Sequence, residues 1–133
     1  MLVVDASILV VALADDGPDG DTARRRLQGE RLSAPELIDL EVVSVVRGLE
    51  RSGQILPRRA ALAVRDLVDV PLARARHVSL LARCWALRNN LTAYDAAYVA
   101  LAEALEVPLL TADARLGRAT GATCDIEVLS TTG

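Results

Sequence analysis

Apolar runs and amphipathic stretches alternate along this chain. Met1–Val4 is a short apolar, β-branched run ending at Asp5, the pattern of a strand buried on both faces. Ala6–Ala14 lacks period-two alternation and predicts a helix that Asp5 or Ser7 can cap. Asp15–Gly20 is a turn cluster, and Thr22–Gln28 predicts an arginine-rich helix closed by Gly29. Arg31–Ala34 predicts a second strand. Ser33 and Glu36 have capping-box spacing, with Pro35 in the first turn of a helix that runs to Arg51. Ile38, Val42, Val45 and Leu49 form its apolar stripe, and Ser52-Gly53 closes it. Pro57–Leu67 predicts another helix and Val68–Leu72 a third strand. Ala73–Leu87 predicts an amphipathic helix carrying Leu80, Leu81 and Trp85, ended by Asn89-Asn90. A helix starts within Leu91–Asp95 and stops at Val107-Pro108. Leu109–Thr111 is a short apolar strand, Leu116–Ala119 a helical turn, Asp125–Leu129 a last edge strand and Ser130–Gly133 a tail. Strands alternating with helices predict a parallel α/β sheet.

Composition narrows this picture. The 133 residues fit one domain, spanning 1–133, with no repeat or linker. With no Phe, one Trp and two Tyr, the core has to be aliphatic. Asp5 interrupts the first apolar run, no basic segment precedes it, and no run approaches the roughly 20 residues of a membrane span. A soluble, cytoplasmic protein is the expectation. Cys84 and Cys124 match no metal or redox spacing and are expected to be reduced thiols.

Charge excludes more than it suggests. The net charge is −3, so a non-specific nucleic-acid coat is not indicated. Apart from His77, every basic residue is an arginine. The absence of lysine excludes a P-loop, and also the receiver and dehalogenase-like sites that pair strand-end aspartates with a lysine. No nucleophile elbow is present, and His77 is assigned no catalytic role.

Four carboxylates stand out by position. Asp5 and Asp113 follow strands, where ligands of an open parallel sheet bind at a topological switch point. Asp95 lies in the first turn of a helix, and Glu41 lies on the edge of an apolar helix face. Asp5, Asp95 and Asp113 can equally be helix caps. Glu41 cannot, and no arginine lies three or four residues away, so it needs a cation: a metal, or an arginine from elsewhere. Clustered carboxylates raise one another's pKa values unless a hard divalent cation offsets them. Four acids without histidine or cysteine partners therefore point to Mg2+ or Mn2+ and to phosphodiester hydrolysis.

The sequence resembles the PIN-domain ribonucleases of the VapC type, toxins of toxin–antitoxin pairs, over essentially its whole length. The resemblance is carried by Val3-Val4-Asp5-Ala6-Ser7, by Pro35 through Glu41 to Arg47, by Leu91-Thr92-Ala93-Tyr94-Asp95 through Ala102, and by Leu110-Thr111-Ala112-Asp113-Ala114-Arg115-Leu116. It implies a three-layer α/β/α sandwich with strand order 3-2-1-4-5. It also implies an endoribonuclease whose acidic quartet of Asp5, Glu41, Asp95 and Asp113 surrounds Mg2+ or Mn2+. Ser7 and Thr111 would support that quartet by hydrogen bonding. The implied partners are RNA (transfer or ribosomal), a VapB-like antitoxin and a second copy in a homodimer. Ile8, Leu9, Val10 and Leu13 offer apolar surface for the antitoxin, or ordinary core. Tyr94 and Tyr98 offer base stacking, or packing. A non-catalytic PIN-like module and a metal-dependent phosphatase or DNA nuclease are the alternatives.

Overall fold

The computed structural model describes residues 1–130; of the expected tail, residues 131–133 lie outside the described residues. The elements are β1 (Leu2–Val4), α1 (Ala6–Ala14), α2 (Pro18–Leu27), β2 (Leu32–Pro35), α3 (Ile38–Arg51), α4 (Pro57–Asp69) and β3 (Leu72–Ala75). After a 3-10 turn at Val78–Leu80 come α5 (Leu81–Ala86), α6 (Ala93–Leu105), β4 (Leu109–Thr111), α7 (Ala114–Gly117) and β5 (Ile126–Val128). The strands form one parallel sheet in the order β3-β2-β1-β4-β5, as the resemblance implied. The chain winds outward from β1 to β3, returns past it, and continues from β4 to β5. Right-handed crossovers then place the helices between β1 and β3 on one face and those between β3 and β5 on the other.

The core is aliphatic, as composition requires. Val3, Val4, Leu109 and Leu110 fill the central strands, and α6 packs its Ala96, Ala97, Val99 and Ala100 against β1 and β2. Small alanines let that helix lie close to the sheet. Val107-Pro108 ends it as expected, with Glu106 in the left-handed region at φ 56° as its cap. Both cysteines are free thiols.

Several boundaries differ from the sequence expectation, each for a physical reason. The turn cluster is already helix: Pro18 opens α2, and Gly20 permits it because a Cβ there would lie 1.8 Å from the Asp15 carbonyl oxygen. Pro35 ends β2 instead of starting a helix, so the Ser33/Glu36 capping box does not form and α3 begins without a side-chain cap. The apolar stripe of α3 is Ile38, Val42 and Val46, whereas Val45 is 45% exposed. The third strand is Leu72–Ala75, and Val68 belongs to the exposed side of α4. The first part of the helix expected from Ala73 is therefore strand and 3-10 turn, and only Leu81–Ala86 is α-helix. Its Leu81 and Trp85 face outward, Trp85 being 69% exposed.

Candidate acidic active site

The site lies at the carboxyl ends of β1 and β4, the two strands that pair in parallel where the winding reverses. Asp5 follows β1 directly. Its backbone is extended, and its side chain accepts the Ile8 amide at 3.3 Å, so it caps α1. It also accepts from the hydroxyls of Ser7 at 2.6 Å and Thr111 at 2.5 Å. Thr111 ends β4 and is fully buried. Its oxygen accepts the Asp113 amide at 3.0 Å, so Asp5 and Asp113 meet through Thr111. Ser7 in turn accepts the Ala112 amide at 2.9 Å. Ser7 and Thr111 thus hold the Asp5 carboxylate and link β1 to the end of β4.

The remaining acids come from the helices. Thr92 caps α6 by accepting the Asp95 amide at 3.1 Å, which sets Asp95 in the first turn. Asp113 caps α7 by accepting the Arg115 amide at 2.9 Å. The Arg115 guanidinium lies 3.1 Å from Asp113 and 3.8 Å from Asp95 while remaining 75% exposed. Cap and site are the same positions, because a cap places a carboxylate at the end of a helix that opens on the crevice.

Glu41 has a partner that sequence reasoning did not name. It is half-buried on α3. The hydroxyl of Tyr98 on α6 donates to it at 2.5 Å, across the end of the sheet. Tyr98 is only 1% exposed, so it cannot stack on a base. Sequence reasoning missed this role, although a signal existed: Tyr98 stands three residues after Asp95, on the same side of α6. Tyr94, by contrast, is exposed. Ile8, Leu9 and Val10 are buried core and offer no surface to a partner; only Leu13 of that set is partly exposed. His77 lies 3.6 Å from Glu36, and the apolar pocket it lines contains none of the four acids.

The carboxylates repel one another. Burial raises the Asp5 pKa most; its three hydrogen bonds oppose that rise, and the charge of Asp95 adds to it. Glu41 is raised by burial and then by Asp95 and Asp5, against the Tyr98 bond. Asp95 is raised by burial and by Asp113, against Arg115 and Thr92. Negative charge therefore exceeds what the neighbouring donors offset. An all-oxygen donor set in this state fits a hard divalent cation. Among the described residues no three His, Cys, Asp or Glu side chains close around one point.

A doubly wound parallel sheet with a carboxylate quartet at its switch point defines the class, and the chain belongs to the PIN-domain family, whose profile matches residues 2–122. Within it, the chain is similar to VapC ribonucleases. It is 45% identical over 132 residues to Ribonuclease VapC9 of Mycobacterium tuberculosis, covering 97% of this chain and 98% of that one. It is 41% identical over 128 residues to Ribonuclease VapC1 of the same organism, covering 96% of each. The fold matches the crystal structure of M. tuberculosis VapC20, a sarcin-ricin loop cleaving toxin, with a TM-score of 0.63, 14% identity and coverage of 82% and 87%. It also matches VapBC2 from Rickettsia felis, bound to a promoter DNA fragment, with a TM-score of 0.68, 13% identity and coverage of 97% and 98%.

Proposed function

We propose that this chain, as a single domain, is a metal-dependent endoribonuclease and the toxin of a toxin–antitoxin pair. The observation that carries this is the set of Asp5, Glu41, Asp95 and Asp113 at one switch point, three of them held above the ordinary carboxylate range. The names of its relatives, ribonucleases at up to 45% identity over nearly the full chain, support RNA as substrate.

In this reading Asp5 and Asp95 are the direct ligands of Mg2+ or Mn2+. When bound, such a cation acidifies water and offsets charge on phosphoryl oxygens. Ser7, Thr111 and the Ile8 amide fix the Asp5 carboxylate so that it need not reorganise when it takes up a ligand. Glu41 and Asp113 orient the attacking water. Glu41 suits the acceptance of its proton, because burial and neighbouring charge raise its affinity for one. The Tyr98 hydroxyl fixes the orientation of Glu41 for that transfer. Attack in line with the departing 3′ oxygen cleaves the phosphodiester. A VapB-like antitoxin and a second copy of the chain are the proposed protein partners, and the cytoplasm the proposed location. No helix among the described residues is long and apolar enough to cross a membrane.

The test incubates purified protein with structured RNA, single-stranded DNA and a small phosphate ester, in Mg2+, Mn2+ or EDTA, beside Asp5→Asn. RNA cleavage that needs the cation and disappears in Asp5→Asn is the expected result. Equal survival of RNA with wild type and variant at high enzyme would overturn the reading. Preferential cleavage of DNA or of the ester would assign the site to a different phosphoester hydrolase.

A further inference from the structure

The acidic site has a basic neighbour. A pocket of about 600 Å³ opens beside it, lined by Arg88, Asn89, Asn90, Arg115 and Arg118, with Asp95 in its wall. Arg88 and both asparagines come from the turn between α5 and α6, while Arg115 and Arg118 come from α7 and its end. The two segments are tied together: the Asn90 side-chain amide donates to the Thr120 carbonyl at 2.9 Å. Arg88 is braced from behind. Its guanidinium lies 4.4 Å from the Trp85 ring centre and donates to the Trp85 carbonyl at 3.0 Å.

This concentration of guanidinium groups runs against the chain's overall charge of −3. Several arginines elsewhere are held by carboxylates: Arg74 by Asp39, Arg83 by Glu103 and Arg26 by Glu127. Around this pocket Arg88 and Arg118 are exposed, and neither is ion-paired to a carboxylate among the described residues. Arg115 stands on the border, paired to Asp113 and Asp95 on one side and lining the pocket on the other. Guanidinium forks match phosphate oxygens, and side-chain amides can accept and donate to base edges. An extended polyanion with one phosphodiester at the carboxylates would carry its next phosphate into a basic pocket of this kind.

We propose that this pocket is a substrate subsite, holding the phosphate of the nucleotide that flanks the scissile bond in a single-stranded RNA segment, with Arg88 and Arg118 as its contacts. The assignment rests on the ribonuclease reading above. It gives the site polarity: carboxylates face the bond to be cut, and arginines face the chain beside it. Arg115 is the positioning residue between them.

Binding of a fluorescein-labelled 2′-O-methyl oligouridylate tests it. The titration uses Ca2+ in place of Mg2+ and is repeated across a range of KCl, with the oligonucleotide checked on a gel afterwards for integrity. Wild type is compared with Arg88→Gln, Arg118→Gln and Arg25→Gln. Arg25 is exposed at the opposite end of the sheet and serves as the charge-matched control. Each pocket variant is expected to weaken binding several-fold and to flatten the slope of log K against log salt by roughly 0.7, the value for one single-strand phosphate contact. Arg25→Gln is expected to match wild type. Melting curves confirm that the variants fold. If wild type cleaves RNA in Mg2+ but both pocket variants match it in affinity and slope, the pocket assignment is lost and the ribonuclease reading stands. If weakening is equal in Arg25→Gln, the effect is general charge and the assignment is also lost. If wild type cleaves no RNA, both fall.

Discussion

Thr111→Val is expected to destabilise the protein by about 2–4 kcal/mol, because it removes one hydroxyl from the seat of Asp5 and keeps the side-chain shape. That hydroxyl donates to Asp5, accepts the Asp113 amide at 3.0 Å and lies 3.3 Å from the Ser7 oxygen. Thr111 and Asp5 are both buried, so water cannot replace the lost bond. A hydrogen bond to a charged group contributes about 1.5–3 kcal/mol, and a stranded donor costs about 1–3 kcal/mol more. The Asp113 amide is only partly buried, so its share falls at the low end. For a domain of this size the melting temperature should fall by about 6–15 °C, measured by circular dichroism in EDTA. The deficit should also depend on pH. Burial raises the Asp5 pKa above its unfolded value of 3.8, and the Thr111 bond restrains that rise. An acid raised in the folded state loses stability as pH climbs through its unfolded pKa toward its folded one. Without Thr111 the rise is larger, so the gap between wild type and variant should widen above that range and narrow below it. A variant melting within about 1 °C of wild type, or one with the same deficit at about pH 3 and about pH 7, would refute the reasoning.

Asp95→Asn should stabilise the cation-free protein at neutral pH, since it removes a charge that burial disfavours and that raises Asp5 and Glu41. The gain should disappear below pH 3.8, where Asp95 is protonated in both states, and Mn2+ should raise the melting temperature of wild type more than that of the variant. Tyr98→Phe removes the one bond that opposes the raised Glu41 pKa, so the acid limb of a pH–activity profile governed by Glu41 should move upward; an unmoved limb would separate Glu41 from proton transfer. Glu103 shows the opposite sign: Arg83 and Thr123 hold it down at about 2, so its contribution is present above its unfolded value of 4.5 and is lost as pH falls through about 2. Glu103→Gln should therefore destabilise at neutral pH and converge with wild type in strong acid, as read by chemical denaturation.

The sequence made some parts of this molecule legible and concealed others, for identifiable reasons. β1 and β4 are apolar runs buried on both faces, and their ends were marked by Asp5 and by Asp113. β3 was concealed because it is an edge strand with one side open: Leu72–Ala75 is short and holds two alanines and an arginine, and Arg74 turns outward to Asp39. The stronger apolar signal just before it belongs to the end of α4. Pro35 looked like a helix start, yet its missing N–H costs nothing at the last position of β2, where β1 no longer pairs with that strand. Among site residues, the three aspartates announced themselves through capping positions. Glu41 was visible as an anomaly, but its partner was not, because the bond to Tyr98 joins α3 to α6 across 57 positions of sequence.

That bond shows how the fold tolerates a site that works against its own stability. Each carboxylate is given a donor that is neutral or shared, and none receives a full counter-charge of its own. Asp5 has two hydroxyls and an amide, and Glu41 has a phenol. Asp95 and Asp113 divide one exposed guanidinium between them. A dedicated buried arginine for each acid would hold it more tightly but would also satisfy it, leaving no reason to take up a cation. Hydroxyl donors orient a carboxylate without cancelling its charge. The geometry is thereby fixed by the strands and caps, while negative charge is left uncompensated, which suits the divalent ion and phosphodiester of the proposed function.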